Sequence, residues 1–154
     1  MSVFILAFMI GVVSGLRALM GLAAVSWAAR LQWLHLEDTK LAFLGYAATP
    51  YILSLLAIGE LISDQLSKTP SRTTPPQFGT RIVTGALCGA ALGAPSGMLI
   101  VGLIAGIVGA VVGTLGGAKL RALLAKSFGK DQPAAFLEDV IAIGLAIFIV
   151  TRTL

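Results

Sequence analysis

Five apolar segments separated by short polar links organise this chain. A helix rises about 1.5 Å per residue and a bilayer's hydrocarbon core is about 30 Å thick, so most of the segments are long enough to cross it. The exception is the third, about 21 Å long and ended by Pro95, which either crosses with help from its flanks or is re-entrant. The pattern predicts an all-α polytopic membrane protein with four or five spans. The segments cover Val3–Ala29, Leu41–Leu66, Arg81–Ala94, Met98–Gly117 and Ala134–Val150.

Three of these segments are expected to differ from one straight helix with the bounds given above. The first would be about 40 Å long as one helix, so it must tilt or break near Ser14 and Gly15. In the second, Pro50 should kink the helix or begin its main part. The fourth can continue as a helix as far as Ser127.

The link Ser67–Thr80 is the boundary between two halves of a single domain, 1–66 and 79–154, with 67–78 as linker. Its prolines and hydroxyl residues exclude a helix through most of it. The pattern G-x-R-x-x-x-G occurs near the start of each half, around Arg17 and around Arg81. This placement suggests an internal duplication, as many membrane transporters have.

Composition strengthens the membrane interpretation. The chain has 154 residues, of which 57% are hydrophobic and 12% charged, whereas soluble domains have roughly 25% charged residues. Its mean hydropathy is +0.96. The net charge of +4 comes from basic residues spread among the links, which argues against a nucleic-acid partner and for a lipid bilayer.

The same basic residues predict the orientation in a bacterial inner membrane. If all five segments cross, the second and fourth links share one side with six lysines and arginines, against three on the other side. The positive-inside rule then places the N-terminus and these two links in the cytoplasm. The N-terminus has no basic stretch before its apolar run, so Val3–Ala29 should stay as a membrane segment instead of being cleaved. The six are Lys68, Arg72, Lys119, Arg121, Lys126 and Lys130; the three are Arg30, Lys40 and Arg152.

Six charged residues stand inside or at the edge of apolar sequence, and they are the candidate substrate or ion pathway. Intramembrane ionisable residues are costly and usually face a protein interior or a water-filled cavity, with a partner. Two interpretations remain open: the charges neutralise one another and fix helix packing, or they line a polar cavity that binds an ion or a charged headgroup. The residues are Arg17, Glu60, Asp64, Arg81, Glu138 and Asp139.

We expect Arg17 to pair mainly with Glu60, and next with Asp64. Arg17 is the only charge between Val3 and Ala29, so its partner must come from another helix or from a bound anion. Glu60 is the deepest carboxylate of the first half, and a short link makes the first two segments neighbours. Asp64 lies four residues after Glu60 and therefore on the same helix face.

Glycines at spacings of three and four dominate the third and fourth segments. Small residues repeated at this spacing let helix backbones approach closely, as in a glycine zipper. Close packing can be inside one chain or between copies, and we predict self-association through the fourth segment. The helix-packing residues are Gly85, Gly89, Gly93, Gly102, Gly106, Gly109, Gly113 and Gly117.

Signatures of enzymes and of bound metals are lacking. The chain has no H-E-x-x-H or G-x-S-x-G motif. His35 is the only histidine and has no cysteine or second histidine nearby to complete a metal site, and Cys88 is the only cysteine. We therefore expect no catalytic residues, no metal and no cofactor, although a lipid-modifying enzyme is a weaker alternative.

Four short motifs stand out along the chain: Gly15-Leu16-Arg17, Glu60-Leu61-Ile62-Ser63-Asp64, Arg81 with Gly85-Ala86, and Ala118-Lys119 with Arg121. Together they resemble one bacterial family of small membrane proteins, known only as domain of unknown function four-one-two-six. The resemblance covers almost the whole chain. It differs after Asp64, where the family usually has lysine, a hydrophobic residue and proline, and this chain has Gln65-Leu66-Ser67. The resemblance implies the membrane architecture but no activity, and it marks Arg17, Glu60, Asp64 and Arg81 as pattern residues.

These observations predict a protein that transports or conducts a small ion or charged solute, through a glycine-rich homo-oligomer with buried arginine and glutamate charges. A non-transporting membrane scaffold or assembly factor is the first alternative, since buried charges can serve packing alone.

Overall fold

The computed structural model describes residues 2–64, 75–129 and 131–153, and within these ranges the chain is helical without strands. The all-α prediction is therefore confirmed. Two short 3₁₀ turns, Ala42–Gly45 and Ala94–Ser96, lie in the links. The helices are α1 (Val3–Leu16), α2 (Ala18–Arg30), α3 (Thr49–Asp64), α4 (Pro75–Gly93), α5 (Leu99–Phe128) and α6 (Asp131–Thr151).

The first apolar segment folds as a helical hairpin instead of one span. Its helix breaks at Arg17, which has extended backbone angles (φ −142°, ψ 111°), two residues after the predicted break. After the break α2 turns back beside α1. At Gly21 of α2, an added Cβ would lie 3.5 Å from the carbonyl oxygen of Ile10 in α1. Arg17 therefore forms the tip of the hairpin.

The long helix α5 packs against both α1 and α4. Gly109 and Gly113 of α5 touch the backbone of Phe8 and Val12, so α1 and α5 run in the same direction. Against α4 the order is reversed: Gly102 lies on Gly89 and Gly106 lies on Gly85, an antiparallel pair. At each of these α5 glycines an added Cβ would overlap backbone atoms of the neighbouring helix.

These contacts change the interpretation of the glycine pattern. Of the two possibilities left open, packing inside one chain or between copies, Gly109 and Gly113 follow the first, because α1 of the same chain covers both. Gly102 and Gly106 are likewise covered by α4. Self-association stays a prediction, but this stripe no longer motivates it.

Helices α3 and α6 complete the bundle on the two sides of α2. The indole Nε1 of Trp27 in α2 donates to Ser54 Oγ in α3 at 2.7 Å, and Glu60 near the end of α3 contacts the start of α2. These two helices are therefore antiparallel. Asp139 near the start of α6 contacts Arg17, and Ile147 shares a groove with Trp27, so α6 runs parallel to α2.

The helix directions put both chain termini at one end of the bundle. That end also holds the link from Leu31 to Ala48 and the α4–α5 turn, while the α5–α6 connection lies at the other end. The sequence-based orientation placed the N-terminus on the same side as the α3–α4 and α5–α6 links. That placement is wrong, because the hairpin returns the chain to the side on which it began.

Helix α4 also differs from its sequence-based description. It begins at Pro75, inside the stretch expected to be non-helical, because proline is well tolerated in a helix's first turn. With 19 residues it is about 28 Å long, longer than the length of about 21 Å expected from the apolar segment alone. Residues 65–74, including the predicted link charges Lys68 and Arg72, lie outside the described part of the chain.

The two G-x-R-x-x-x-G motifs adopt different local structures. The first contains the break at Arg17, whereas Arg81 lies inside the continuous helix α4. The motif is therefore no evidence for structurally equivalent halves. Its two arginines nevertheless reach the same place in the fold, the tip of the α1–α2 hairpin.

The surface of the bundle is largely apolar. In α5, bulky side chains four residues apart, such as Ile100, Ile104 and Val108, are exposed opposite the glycines. Leu55 of α3 is 71% exposed and Ile147 of α6 is 58% exposed. Within the described residues, one helix stretch, Leu99–Leu124, is long and apolar enough to cross a membrane by itself. Three further apolar helices are shorter: Val3–Leu16, Ala18–Arg30 and Thr49–Ile62.

Candidate functional site

The tip of the α1–α2 hairpin is the polar centre of the fold. A helix that ends leaves its last carbonyl groups without intrahelical partners, and a helix that begins leaves its first N–H groups without acceptors. At Arg17 both kinds of helix end meet inside the bundle, away from the chain termini. Such groups need partners from elsewhere, because an unsatisfied buried polar group costs free energy.

Side chains from three helices occupy the carbonyl end of α1. Arg81 of α4 donates from Nη1 to the Gly15 carbonyl oxygen at 2.8 Å. Thr114 Oγ1 of α5 donates to the same oxygen at 3.4 Å. Arg17 itself donates from Nη1 to the Leu16 carbonyl oxygen at 3.0 Å. Cations are favourable here, because the helix dipole places partial negative charge at a helix C-terminus.

One carboxylate occupies the amide end of α2. Glu60 of α3 accepts the backbone N–H of Ala18 on Oε1 at 2.7 Å and that of Leu19 on Oε2 at 2.8 Å. This is an N-cap supplied by a different helix, and it also matches the partial positive charge of a helix N-terminus. Glu60 Oε1 lies 3.7 Å from Arg81 Nη2, which links the two ends of the break.

The guanidinium of Arg17 pairs with α6. Its Nε donates to Asp139 Oδ1 at 2.6 Å, and its Nη2 contacts the same oxygen. Glu138 Oε1 lies 3.6 Å from Arg17 Nη1. Neighbouring carboxylates of one helix thus hold an arginine that belongs to the hairpin tip.

We call Arg17, Glu60, Arg81, Glu138 and Asp139 the charge network. The Glu60 side chain is 15% exposed. The side chains of the other four are more deeply buried than that of Glu60, with exposures of 0% for Arg17, 3% for Arg81, 6% for Glu138 and 12% for Asp139. A cluster of five charged side chains therefore lies inside the bundle, while bulky apolar side chains are exposed on the outside of α3, α5 and α6.

The structure brings together five of the six predicted site residues but changes their pairing. The expectation that Glu60 is the main partner of the Arg17 guanidinium is wrong. Asp139 and Glu138 take that position, and Glu60 binds backbone N–H groups and approaches Arg81. The side chain of Asp64, the second expected partner, lies outside the described part of the structure.

Two residues near the network were missed from the sequence. Thr114 is the only hydroxyl residue between Leu99 and Ala118, and such an isolated polar residue in an apolar run is a usable signal. Arg121 and Glu138 line the same small cavity between α5 and α6. Arg121 was counted only as a link charge, although the fourth segment was expected to be able to continue as a helix as far as Ser127.

The arrangement matches each end of the interrupted helix with a side chain of the favourable charge, Arg81 at the carbonyl end of α1 and Glu60 at the amide end of α2. The carbonyl end of α1 and the N–H end of α2 meet at Arg17, beside the long side chains of Arg81 and Glu60. The described residues contain no group of three or more histidine, cysteine or acidic side chains placed to hold a metal ion. The site is thus a set of charge pairs and capped helix ends inside the bundle.

Replacing Glu60 with alanine should destabilise the protein measurably. The change removes the cap of α2, typically worth about 1 kcal/mol, and it also takes a carboxylate from buried Arg81. We expect thermal unfolding in detergent at a lower temperature than for wild type, with partial recovery in Glu60→Gln, whose amide oxygen can still accept a hydrogen bond. Glu37→Ala, at an exposed link position, is the control. Equal melting temperatures for Glu60→Ala and Glu37→Ala would contradict the capping role.

A family model described as "Domain of unknown function (DUF4126)" matches residues 4–152 of the chain. No curated protein and no solved structure gives a match.

Proposed function

The chain belongs to the DUF4126 family. We propose that it is an integral membrane protein, and that it transports or conducts a small ion or charged solute through the charge network. The observation that carries the proposal is the inverted distribution of charge. Five ionisable side chains meet in the interior, while exposed leucine, isoleucine and valine cover α3, α5 and α6. A soluble protein shows the opposite arrangement, and a bilayer favours this one.

The interrupted hairpin supports transport over a purely structural role. Irregular backbone at membrane depth occurs where it is buried in protein or lines a cavity. In secondary transporters, the ends of broken helices form the substrate site: helix N-termini face anionic groups, and carbonyl ends face cations. Here the Gly15 carbonyl, at the end of α1, accepts from Thr114, near the middle of the apolar stretch Leu99–Leu124 of α5. The break therefore falls near the centre of the proposed membrane span.

A specific observation also favours the alternative of a non-transporting scaffold. The network charges contact one another and the helix ends, so they can stabilise the bundle without any ligand. Reconstitution separates the two functions. Purified protein in liposomes should dissipate the gradient of at least one member of a panel of protons, alkali cations, halides and small carboxylates faster than protein-free liposomes.

Absence of flux for the whole panel would contradict transport and favour the scaffold. Native mass spectrometry of the same preparation tests the remaining alternative, a lipid-modifying enzyme. A tightly bound lipid whose mass changes during incubation would indicate such an enzyme. Homo-oligomerisation, read from the same spectra, is a separate proposal that the transport mechanism does not require.

The proposed orientation gives a second test. Counted along the sequence, six lysines and arginines belong to the stretches 67–80 and 118–133, and three belong to the remaining links. The positive-inside rule then puts the α5–α6 link in the cytoplasm and both termini outside. In a Cys88→Ser background, His35→Cys should react with an impermeant thiol reagent added to intact bacterial cells. Ser127→Cys should react only after lysis. Both positions are exposed. The reverse pattern would overturn the orientation, and labelling of both from outside would indicate dual topology.

A further inference from the structure

An apolar groove runs along the outside of the bundle over α2, with α3 on one side and α6 on the other. Both helices pack against α2, and within the described residues they make little direct contact with each other. The volume of the groove is about 310 Å³. Its lining is apolar apart from Ser54, whose hydroxyl oxygen accepts a hydrogen bond from Trp27. The groove is therefore a surface that water does not satisfy.

Small residues form the floor of the groove and large residues form its walls. Ala23 of α2, Ala57 of α3 and Ala146 of α6 are buried, whereas Ile58 of α3 and Ile147 of α6 are largely exposed. A molecule in the groove touches alanine methyl groups below it and isoleucine side chains at both sides. Such a surface offers hydrophobic and dispersion contacts but no charge, so it selects an apolar chain.

The size of the groove excludes a helix as its occupant. Along α2 the lining extends from Met20 to Trp27, about 10 Å at 1.5 Å per residue. A helix is about 10–12 Å in diameter, so a 10 Å length of it fills roughly 800 Å³, far more than the groove holds. A stable contact with a second copy needs roughly 20–30 residues from each partner, and fewer line this groove. A single hydrocarbon chain fits the space.

The two ends of the groove differ, and the difference orients such a chain. At one end the rings of Trp27 and Tyr51 lie with their centroids 5.1 Å apart. Tryptophan and tyrosine are enriched where a membrane meets water, and this end of the bundle also holds both chain termini. The other end, at Met20 and Leu61, lies toward the hairpin tip and thus toward the centre of the proposed membrane span. A lipid in the groove has its headgroup at Trp27 and the end of its chain at Met20.

A cation lies at the headgroup end of the groove. The guanidinium of Arg152 lies 4.7 Å from the ring centroid of Phe148, which directly follows the wall residue Ile147. Guanidinium groups match phosphate in charge and in hydrogen-bond geometry. Arg30, at the same end of the bundle, lines a separate cavity with Glu37. We propose that the groove binds one acyl chain of a membrane phospholipid whose phosphate group contacts Arg152. This inference rests on the membrane location in the proposed function, but not on transport.

The fluorescence of Trp27 reports whether an acyl chain lies in the groove. In a Trp33→Phe background Trp27 is the only tryptophan, and bromine atoms on an acyl chain quench a tryptophan that they touch. Delipidated protein in detergent is titrated with phosphatidylglycerol that carries brominated acyl chains. We expect quenching that saturates at one lipid for each protein chain. Quenching only at a large lipid excess would overturn the inference, because it indicates unspecific contact with lipid around the bundle.

Ala24→Phe fills the groove, and Gly59→Phe is its matched control. Ala24 lines the groove and is only partly buried, whereas Gly59 lies outside it and an added Cβ there meets no atom within 4 Å. Lipid binding should be roughly tenfold weaker in Ala24→Phe, because a filled groove excludes the chain, and unchanged in Gly59→Phe. Equal titrations of the two variants would contradict the groove as the binding place. The titration of the parent protein decides the question if Ala24→Phe does not fold.

Arg152→Met tests the phosphate contact, with Arg30→Met as its control. Loss of an exposed charge pair should weaken the binding of brominated phosphatidylglycerol about threefold. Binding of a brominated diacylglycerol, which has no phosphate group, should stay the same in both variants. An equal effect of the two variants on phosphatidylglycerol would refute the contact between Arg152 and the headgroup.

Alkaline carbonate extraction of cell membranes separates this inference from the proposed function. Protein that carbonate releases from the membranes would refute the membrane location and with it the proposed function. Protein that stays in the membranes, but whose Trp27 is not quenched by one equivalent of lipid, would refute the groove site alone. Saturable quenching without any flux in liposomes would leave the lipid site standing and refute transport.

Discussion

Replacing Arg17 with methionine is expected to lower the free energy of unfolding by about 3–5 kcal/mol, the cost of leaving buried charges without their partner. Methionine keeps most of the side chain's length, so the packing change is small compared with the lost charge. Asp139 and Glu138 then stay buried in an apolar bundle without the guanidinium that contacts both. Unfolding in mixed detergent and sodium dodecyl sulfate measures the loss.

Arg30→Met is the matched control for this experiment. Arg30 is the last residue of α2 and is exposed, so its replacement should change the unfolding free energy by less than about 1 kcal/mol. The double variant Arg17→Met/Asp139→Leu should recover part of the loss, because removing both partners of a buried pair costs less than removing one. A loss for Arg17→Met no larger than for Arg30→Met, or purely additive losses in the double variant, would contradict the pairing.

Gly106→Leu should be at least as damaging, for a different reason. Gly106 lies where α5 touches both α1 and α4: an added Cβ would meet the backbone of Gly85 and lie 3.1 Å from the Cα of Gly89, and a Cβ on Gly11 would meet the Gly106 carbonyl. Backbone atoms cannot move aside as a side chain does, so whole helices must separate. We expect a loss of about 3 kcal/mol or more, or failure to fold.

Gly144→Leu controls for placing a leucine on a helix of this bundle. A Cβ on Gly144 of α6 meets nothing within 4 Å, so this variant should express and unfold like the wild type. Equal stability of Gly106→Leu and Gly144→Leu would show that α1, α4 and α5 do not pack through their glycines. The same logic changes the expectation for Gly113→Leu, which should destabilise the single chain before it alters any association between chains.

The sequence predicts the helices well because their signal is local. Long apolar runs and the prolines at 50 and 95 mark most segments, and the break in the first run occurs at Arg17, two residues from the position expected. What the sequence does not determine is direction after the break. A helix that resumes straight ahead and one that folds back have the same composition and periodicity, and only packing against α5 and α3 distinguishes them.

The partner of Arg17 was the second feature that the sequence did not predict. The reason is again that the contact joins residues far apart in the chain. Glu60 was favoured because its segment follows that of Arg17 along the chain. Asp139 contacts Arg17 although 122 residues separate them, because α6 returns beside the hairpin tip. The cap formed by Glu60 could not be foreseen either, since its donors, the N–H groups of Ala18 and Leu19, become available only where the helix breaks.

One comparison decides whether the charge network serves transport or only packing. It is the ion flux through the Arg17→Met/Asp139→Leu double variant, measured relative to that of the wild type. Both proteins are reconstituted in liposomes at equal amounts, with Arg30→Met as a third sample, and the ion is the one that the wild type moves. If the network is the transport site, the double variant should regain stability relative to Arg17→Met but carry no flux, while Arg30→Met transports at the wild-type rate. A folded double variant that transports as fast as wild type would contradict the account, because the charges at the hairpin tip would then serve packing alone.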